Sequence, residues 1–132
     1  MDEVYIDQLR DMEDEVARIN EYLNAPAPKE PGALTERLAK VSAFNARTGE
    51  MLADAEYILT LQRGEVLSEL LSVDPKMPAN QQKTLVDAKC AYAIKVCRLI
   101  ERANRSAVHA GEALITLVSM AKEEMSLTRK GY

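Results

Sequence analysis

The order of apolar and polar positions predicts helices throughout. Tyr5, Leu9, Met12, Val16, Ile19 and Leu23 recur at alternating spacings of four and three. That is the period of one apolar stripe along a helix packed on others. It predicts a first helix from Asp2 to about Asn24. Its other faces are acidic, through Asp2, Glu3, Asp7, Asp11, Glu13, Asp14, Glu15 and Glu21.

The stretch "APAPKEPG", Ala25–Gly32, interrupts this pattern. Three prolines remove three donors and fix three φ angles, so the segment reads as a stiff linker. A second helix is expected from about Leu34 to Leu71. Its stripe runs through Leu34, Leu38, Val41, Leu52, Ala55, Leu59 and Val66, broken by the polar Asn45 and Thr48. A polar residue on a seam fixes register at a cost in stability. Gly49 and Gly64 fall inside this helix, each costing about 1 kcal/mol relative to alanine, so a kink is expected near Gly64. "SVDPKMP", Ser72–Pro78, ends it.

A third helix is expected from about Ala79 to Thr128. Its stripe is Val96, Ile100, Ala103, Ala107, Ala110, Leu114, Leu117, Ala121 and Met125. Small residues at its centre allow a neighbouring helix to approach closely. The expected fold is all-α: an acidic amphipathic helix (1–24), a proline-rich linker (25–32) and a long antiparallel helical hairpin (33–132). Seams this long favour a coiled-coil-like bundle that assembles as a homo-oligomer.

Composition agrees with helices. Apolar residues make up 47% of the 132, enough for a core, yet there is one phenylalanine and no tryptophan, so aliphatic side chains must do the packing. No run of residues is long and apolar enough to predict a membrane span. The acidic N-terminus lacks the basic and apolar regions of a secretory leader. A cytoplasmic protein is therefore expected, in the host cytoplasm if a phage encodes it. The two cysteines, Cys90 and Cys97, stand two helical turns apart, too far for a disulfide with each other. They read as small buried residues, with intermolecular pairing or metal binding as the alternatives.

Charge is distributed in blocks. Residues 1–32 carry nine acids against three bases, whereas residues 76–109 carry seven bases against Asp87 and Glu101. Within the basic block, Lys95, Arg98, Arg102, Arg105 and His109 are spaced to share one helical face, turned away from the stripe through Val96, Ile100 and Ala103. Arginine forks fit phosphate geometry, and several together give salt-sensitive nucleic-acid affinity. Lys89 would extend the track. The alternative is a solvated face that pairs with Glu101, Glu112 or the acids of the first helix. Aromatic stacking has only Tyr92 to offer nearby.

Catalytic patterns are not evident. There is no glycine-rich phosphate loop and no nucleophile elbow. His109 and Glu112 reverse the order of a di-iron motif and lack further histidines. Glu50, Asp54, Glu65 and Glu69 place two carboxylate pairs on one helix, which would suit a magnesium-dependent nucleotide hydrolase or, equally, an exposed bundle helix. A non-enzymatic protein without metal or cofactor is the expectation.

The stretches "GEMLADAEYILTLQRGEVLSELL" and "RLIERANRSAVHAGEALITLVSMAKEEM" resemble small helical proteins of bacteriophages and prophages encoded among recombination genes. The shared features are Gly-Glu-x-x-Ala-x-Ala-Glu-Tyr on one helix and a long arginine-bearing helix after it. The plan is similar to that of UvsY-like recombination mediators. The resemblance covers roughly Gly49 to Met125 and rests on packing patterns, so it assigns no residue a role. It implies an oligomeric accessory protein that binds single-stranded nucleic acid or a recombination protein. A different class also fits the residues: a helical protein-interaction module, or an inhibitor of a host or defence protein, acting through the acidic first helix.

Overall fold

A computed structural model of the chain describes residues 1–131. Four helices follow one another: α1 (Glu3–Asn24), α2 (Pro31–Val73), α3 (Ala79–Lys89) and α4 (Ala91–Arg129). There is no strand among the described residues, and the fold is the expected all-α bundle.

Each boundary has a local cause. Asp2 caps α1, its carboxylate accepting from the Val4 N–H at 3.0 Å. Ala25 is extended before Pro26 and ends the helix. α2 begins at Pro31, earlier than the apolar stripe indicates. A proline's fixed φ and missing N–H suit the first helical position, so Pro31 opens α2 rather than closing the linker. Gly49 and Gly64 do not interrupt α2, which at 43 residues extends about 65 Å. The helix does not break at Gly64, where the nearby Ile58, Leu59 and Val66 are buried.

The third expected helix is two. Cys90 has φ −98° and ψ 13°, and the chain bends there between α3 and α4. The Cys90 N–H still reaches Val86 O at 2.9 Å, and the Ile94 N–H reaches Cys90 O at 3.0 Å. The interruption thus leaves both backbone groups of Cys90 in helical bonds while Lys89 O accepts from the Gln62 side chain, and Val86, Cys90, Ala93, Val96, Cys97 and Ile100 are buried continuously across it.

α2 packs antiparallel to α3 and α4, forming the long hairpin, and α1 lies along its middle. α1 runs antiparallel to α2: the Met1 ammonium is near Glu65, Glu15 is beside Arg47, and the Tyr22 ring meets Phe44 edge to face. It runs parallel to α4, with Glu13 near Lys95 and Leu23 packed against the cluster that holds Ala107 and Leu114. Leu9, Met12, Val16 and Ile19 are its buried stripe. Each fully buried aliphatic side chain of this kind contributes about 1.5–3 kcal/mol.

The core is in two parts. The larger contains Leu9, Val16, Met51, Ile58, Val96 and Ile100; the smaller contains Leu34, Val41, Ala107 and Leu114. Between them lies a polar layer. Thr48 is fully buried and its hydroxyl donates to Phe44 O at 2.9 Å. The Asn104 amide, from α4, donates to Thr48 Oγ1, Asn45 Oδ1 and Asn45 O at 2.9, 3.1 and 3.2 Å. The two residues that interrupt the seam of α2 thus meet one asparagine of α4.

The end of α4 extends past α1. Leu114 is buried, but Ile115, Leu117, Met120, Met125 and Leu127 are exposed. The stripe expected to continue through Leu117 and Met125 is only partly covered among the described residues, with Met125 beside Lys29 and Pro31.

Candidate nucleic-acid interface

The first turns of α4 set the site. Ala93, Val96, Cys97 and Ile100 turn inward, which leaves Lys95, Arg98 and Arg102 outward on the far side of the helix. Across from them, Arg63 stands on α2 one residue before Gly64. A groove of about 440 Å³ opens along α4, with Arg63 of α2 and Asp87 of α3 closing one part of it. Arg63, Lys95, Arg98 and Arg102 supply its cations, Asp87 its one carboxylate, and Ala91, Ile94 and Leu99 its apolar floor.

Two of the four cations are engaged within the chain. Arg63 pairs with Asp87 at 3.5 Å. Lys95 Nζ lies 3.6 Å from Glu13 Oε2, an oxygen that is shielded from water and accepts no hydrogen bond among the described residues. Arg98 and Arg102 are exposed and have no carboxylate partner among the described residues.

Arg105 and His109 lie farther along the same face and outside the groove. Arg105 is 3.9 Å from Glu101, and His109 Nδ1 is 3.7 Å from Glu112, a contact that is an ion pair only when the imidazole is protonated. Lys89 is exposed at the end of α3, where its carbonyl accepts from the Gln62 side chain at 3.4 Å. The five expected residues therefore divide. Lys95, Arg98 and Arg102 converge on a groove, while Arg105 and His109 form a solvent-facing tail of the track. Arg63 was missing from the expectation: it stands far from the basic block in sequence, and only the hairpin brings it across.

The acidic first helix reaches the basic face at Glu13, beside Lys95. Its other half-buried acid is used elsewhere. Glu15 accepts two hydrogen bonds from the Arg47 guanidinium, at 2.6 and 3.0 Å. These bonds hold the Glu15 carboxyl below the usual range and raise Arg47. Asp7, Asp11, Asp14 and Glu21 remain exposed on the outer face.

The carboxylates of α2 are also dispersed. Glu50 lies 3.4 Å from Arg47, and Glu65 lies 3.8 Å from the Met1 ammonium. No group of three or more histidine, cysteine or acidic residues is placed to hold a metal among the described residues. Cys90 and Cys97 are both free and buried, and burial pushes both thiols up. No helix is long and apolar enough to cross a membrane among the described residues. No family model matches the chain, and no curated protein or solved structure is detectably similar to it.

Proposed function

We propose that the protein is a non-enzymatic, phage-type accessory factor that binds single-stranded nucleic acid during recombination or strand handling. The observation that carries this reading is the pair Arg98 and Arg102, exposed, unpaired among the described residues and set beside Lys95 and Arg63 on one groove. Guanidinium groups held this way receive phosphate oxygens without first losing a protein partner. The recombination context comes from the resemblance of residues 49–125 to phage recombination proteins. Assembly into a homo-oligomer belongs to the same reading, supported by the partly covered apolar end of α4, and would multiply a weak contact along a strand.

Titration of a labelled single-stranded oligonucleotide tests the proposal. Three to four phosphate contacts predict a slope of log affinity against log salt of about −2 to −3 for single strands. The double substitution Arg98→Glu/Arg102→Glu should abolish binding and leave helicity unchanged, since both side chains are outside the core. Affinity that survives the double reversal refutes the groove as the site.

A second reading is a protein-interaction module that engages a basic partner through α1. The exposed row Asp7, Asp11, Asp14 and Glu21 favours it. Because α1 contributes Leu9 and Val16 to the core, it is tested by Asp11→Lys/Asp14→Lys rather than by truncation. A partner captured by the wild type and lost with that variant would support this reading.

A further inference from the structure

The Arg63–Asp87 ion pair spans the trough between α2 and the bent α3–α4 limb, and hollows open on both sides of it. On the α4 side is the cationic groove. On the α3 side is a second hollow of about 470 Å³ that shares Arg63 and Asp87. Gly64, Leu67 and Val86 give it an apolar lining, with Gln82 and Lys83 beside them. A Cβ added at Gly64 would meet nothing within 4 Å. Packing inside the chain thus places no demand for glycine there, although glycine weakens a helix interior. Its missing side chain widens the hollow.

We infer that this second hollow is a base subsite of the nucleic-acid groove. The inference rests on the reading of the groove given above. A strand whose phosphates sit by Arg98 and Arg102 continues towards Arg63 and places a later base in the space above Gly64, between Leu67 and Val86. The carboxylate of Asp87 repels phosphate and keeps the backbone on the α4 side. Gln82 Nε2 donates to Met77 O at 2.7 Å, which holds the amide and leaves Oε1 to accept from a base N–H such as thymine N3–H. A base in a duplex is paired and stacked and does not enter such a hollow without being extruded. The subsite therefore selects single strands by shape, without an aromatic platform.

The test compares three labelled probes on the full chain by fluorescence anisotropy: oligothymidylate, an abasic strand of equal length, and a duplex. Gly64→Leu fills the hollow from an open helix face with a better helix former, so the variant folds. Wild type should bind oligothymidylate about tenfold tighter than the abasic strand, in line with burying part of one base against an apolar lining. Gly64→Leu should remove that preference and leave abasic binding unchanged. Arg98→Glu/Arg102→Glu should lose both. Equal wild-type binding of oligothymidylate and abasic strand, or a preference that persists in Gly64→Leu, overturns the base subsite while leaving the groove intact. Binding of none of the probes overturns both readings. A fall in the molar mass of the nucleic-acid-free protein on Gly64→Leu would assign the hollow to a second copy of the chain and also overturns it.

Discussion

Removing the amide of Asn104 tests whether the polar layer, and not the apolar seam alone, decides how α4 lies on α2. The amide has two N–H groups and three acceptors within 3.2 Å, so about two hydrogen bonds are made at a time. A net hydrogen bond contributes about 0.5–1.5 kcal/mol. Asn104 is only half-buried, so water recovers part of the loss, and Asn104→Ala should cost about 1.5 kcal/mol. Thr48→Val should cost less than about 1 kcal/mol: a methyl replaces a hydroxyl at a site with no exposure, and the lost donor had only intrahelical carbonyls to serve. The two changes share one bond, so the double variant should fall short of additivity by about 0.5–1 kcal/mol. Urea unfolding followed by circular dichroism measures all three, and Asn104→Ala should lower Tm by roughly 5 °C in a chain of this size. A neutral Asn104→Ala, or a cost that Thr48→Val leaves unchanged, would refute the coupling. Thr48→Val/Asn104→Leu would then join the two halves of the core without loosening their alignment, contrary to the reasoning.

Glu15→Gln should destabilise the protein by about 1 kcal/mol near neutral pH, the scale of a partly exposed bidentate pair. Glu15 has its folded-state pKa lowered below the ordinary 4.5 by the Arg47 hydrogen bonds. Its contribution is therefore complete above that value and fades as pH falls through the lowered one. An acid titration of stability should be shallower for Glu15→Gln than for wild type. Leu9→Ala, at a site with 0% exposure, should cost about 2–5 kcal/mol, measurable by the same urea unfolding; a cost under 1 kcal/mol would mean that α1 is not docked as described. Cys90 and Cys97 should resist a disulfide-exchange reagent in the native protein and react at once in denaturant, because burial disfavours the thiolate at both.

The helices were legible wherever apolar residues repeat with a helical period. The stripe of α1 appears in the bundle residue for residue, with Tyr5 and Leu23 at its half-buried ends. The interruption at Asn45 and Thr48 was also visible, but its partner was not: Asn104 lies among arginines and alanines and carries no local mark of a cross-helix bond. The bend at Cys90 left no trace because the seam runs through it without a proline, a glycine or a change of spacing. At the site, helical spacing placed Lys95, Arg98 and Arg102 together, since neighbours on one helix are fixed by its pitch. It could not supply Arg63 or Asp87, which reach the groove only when α2 folds back and α3 bends. Arg105 and His109 satisfied the same spacing and yet stand outside, because a helix face continues where a groove does not.

The parallel placement of α1 and α4 has a consequence for synthesis. α1 leaves the ribosome before the helix it packs on most extensively, and Ala107 of the shared bundle follows it by most of the chain. At roughly 5–20 residues per second, Leu9, Met12, Val16 and Ile19 wait several seconds without their final cover. The acids that surround this stripe, Asp7, Asp11, Asp14 and Glu21, give the nascent helix a negative coat during that interval. Like charges on neighbouring nascent chains repel one another, so the acidic face discourages their early association until α4 arrives.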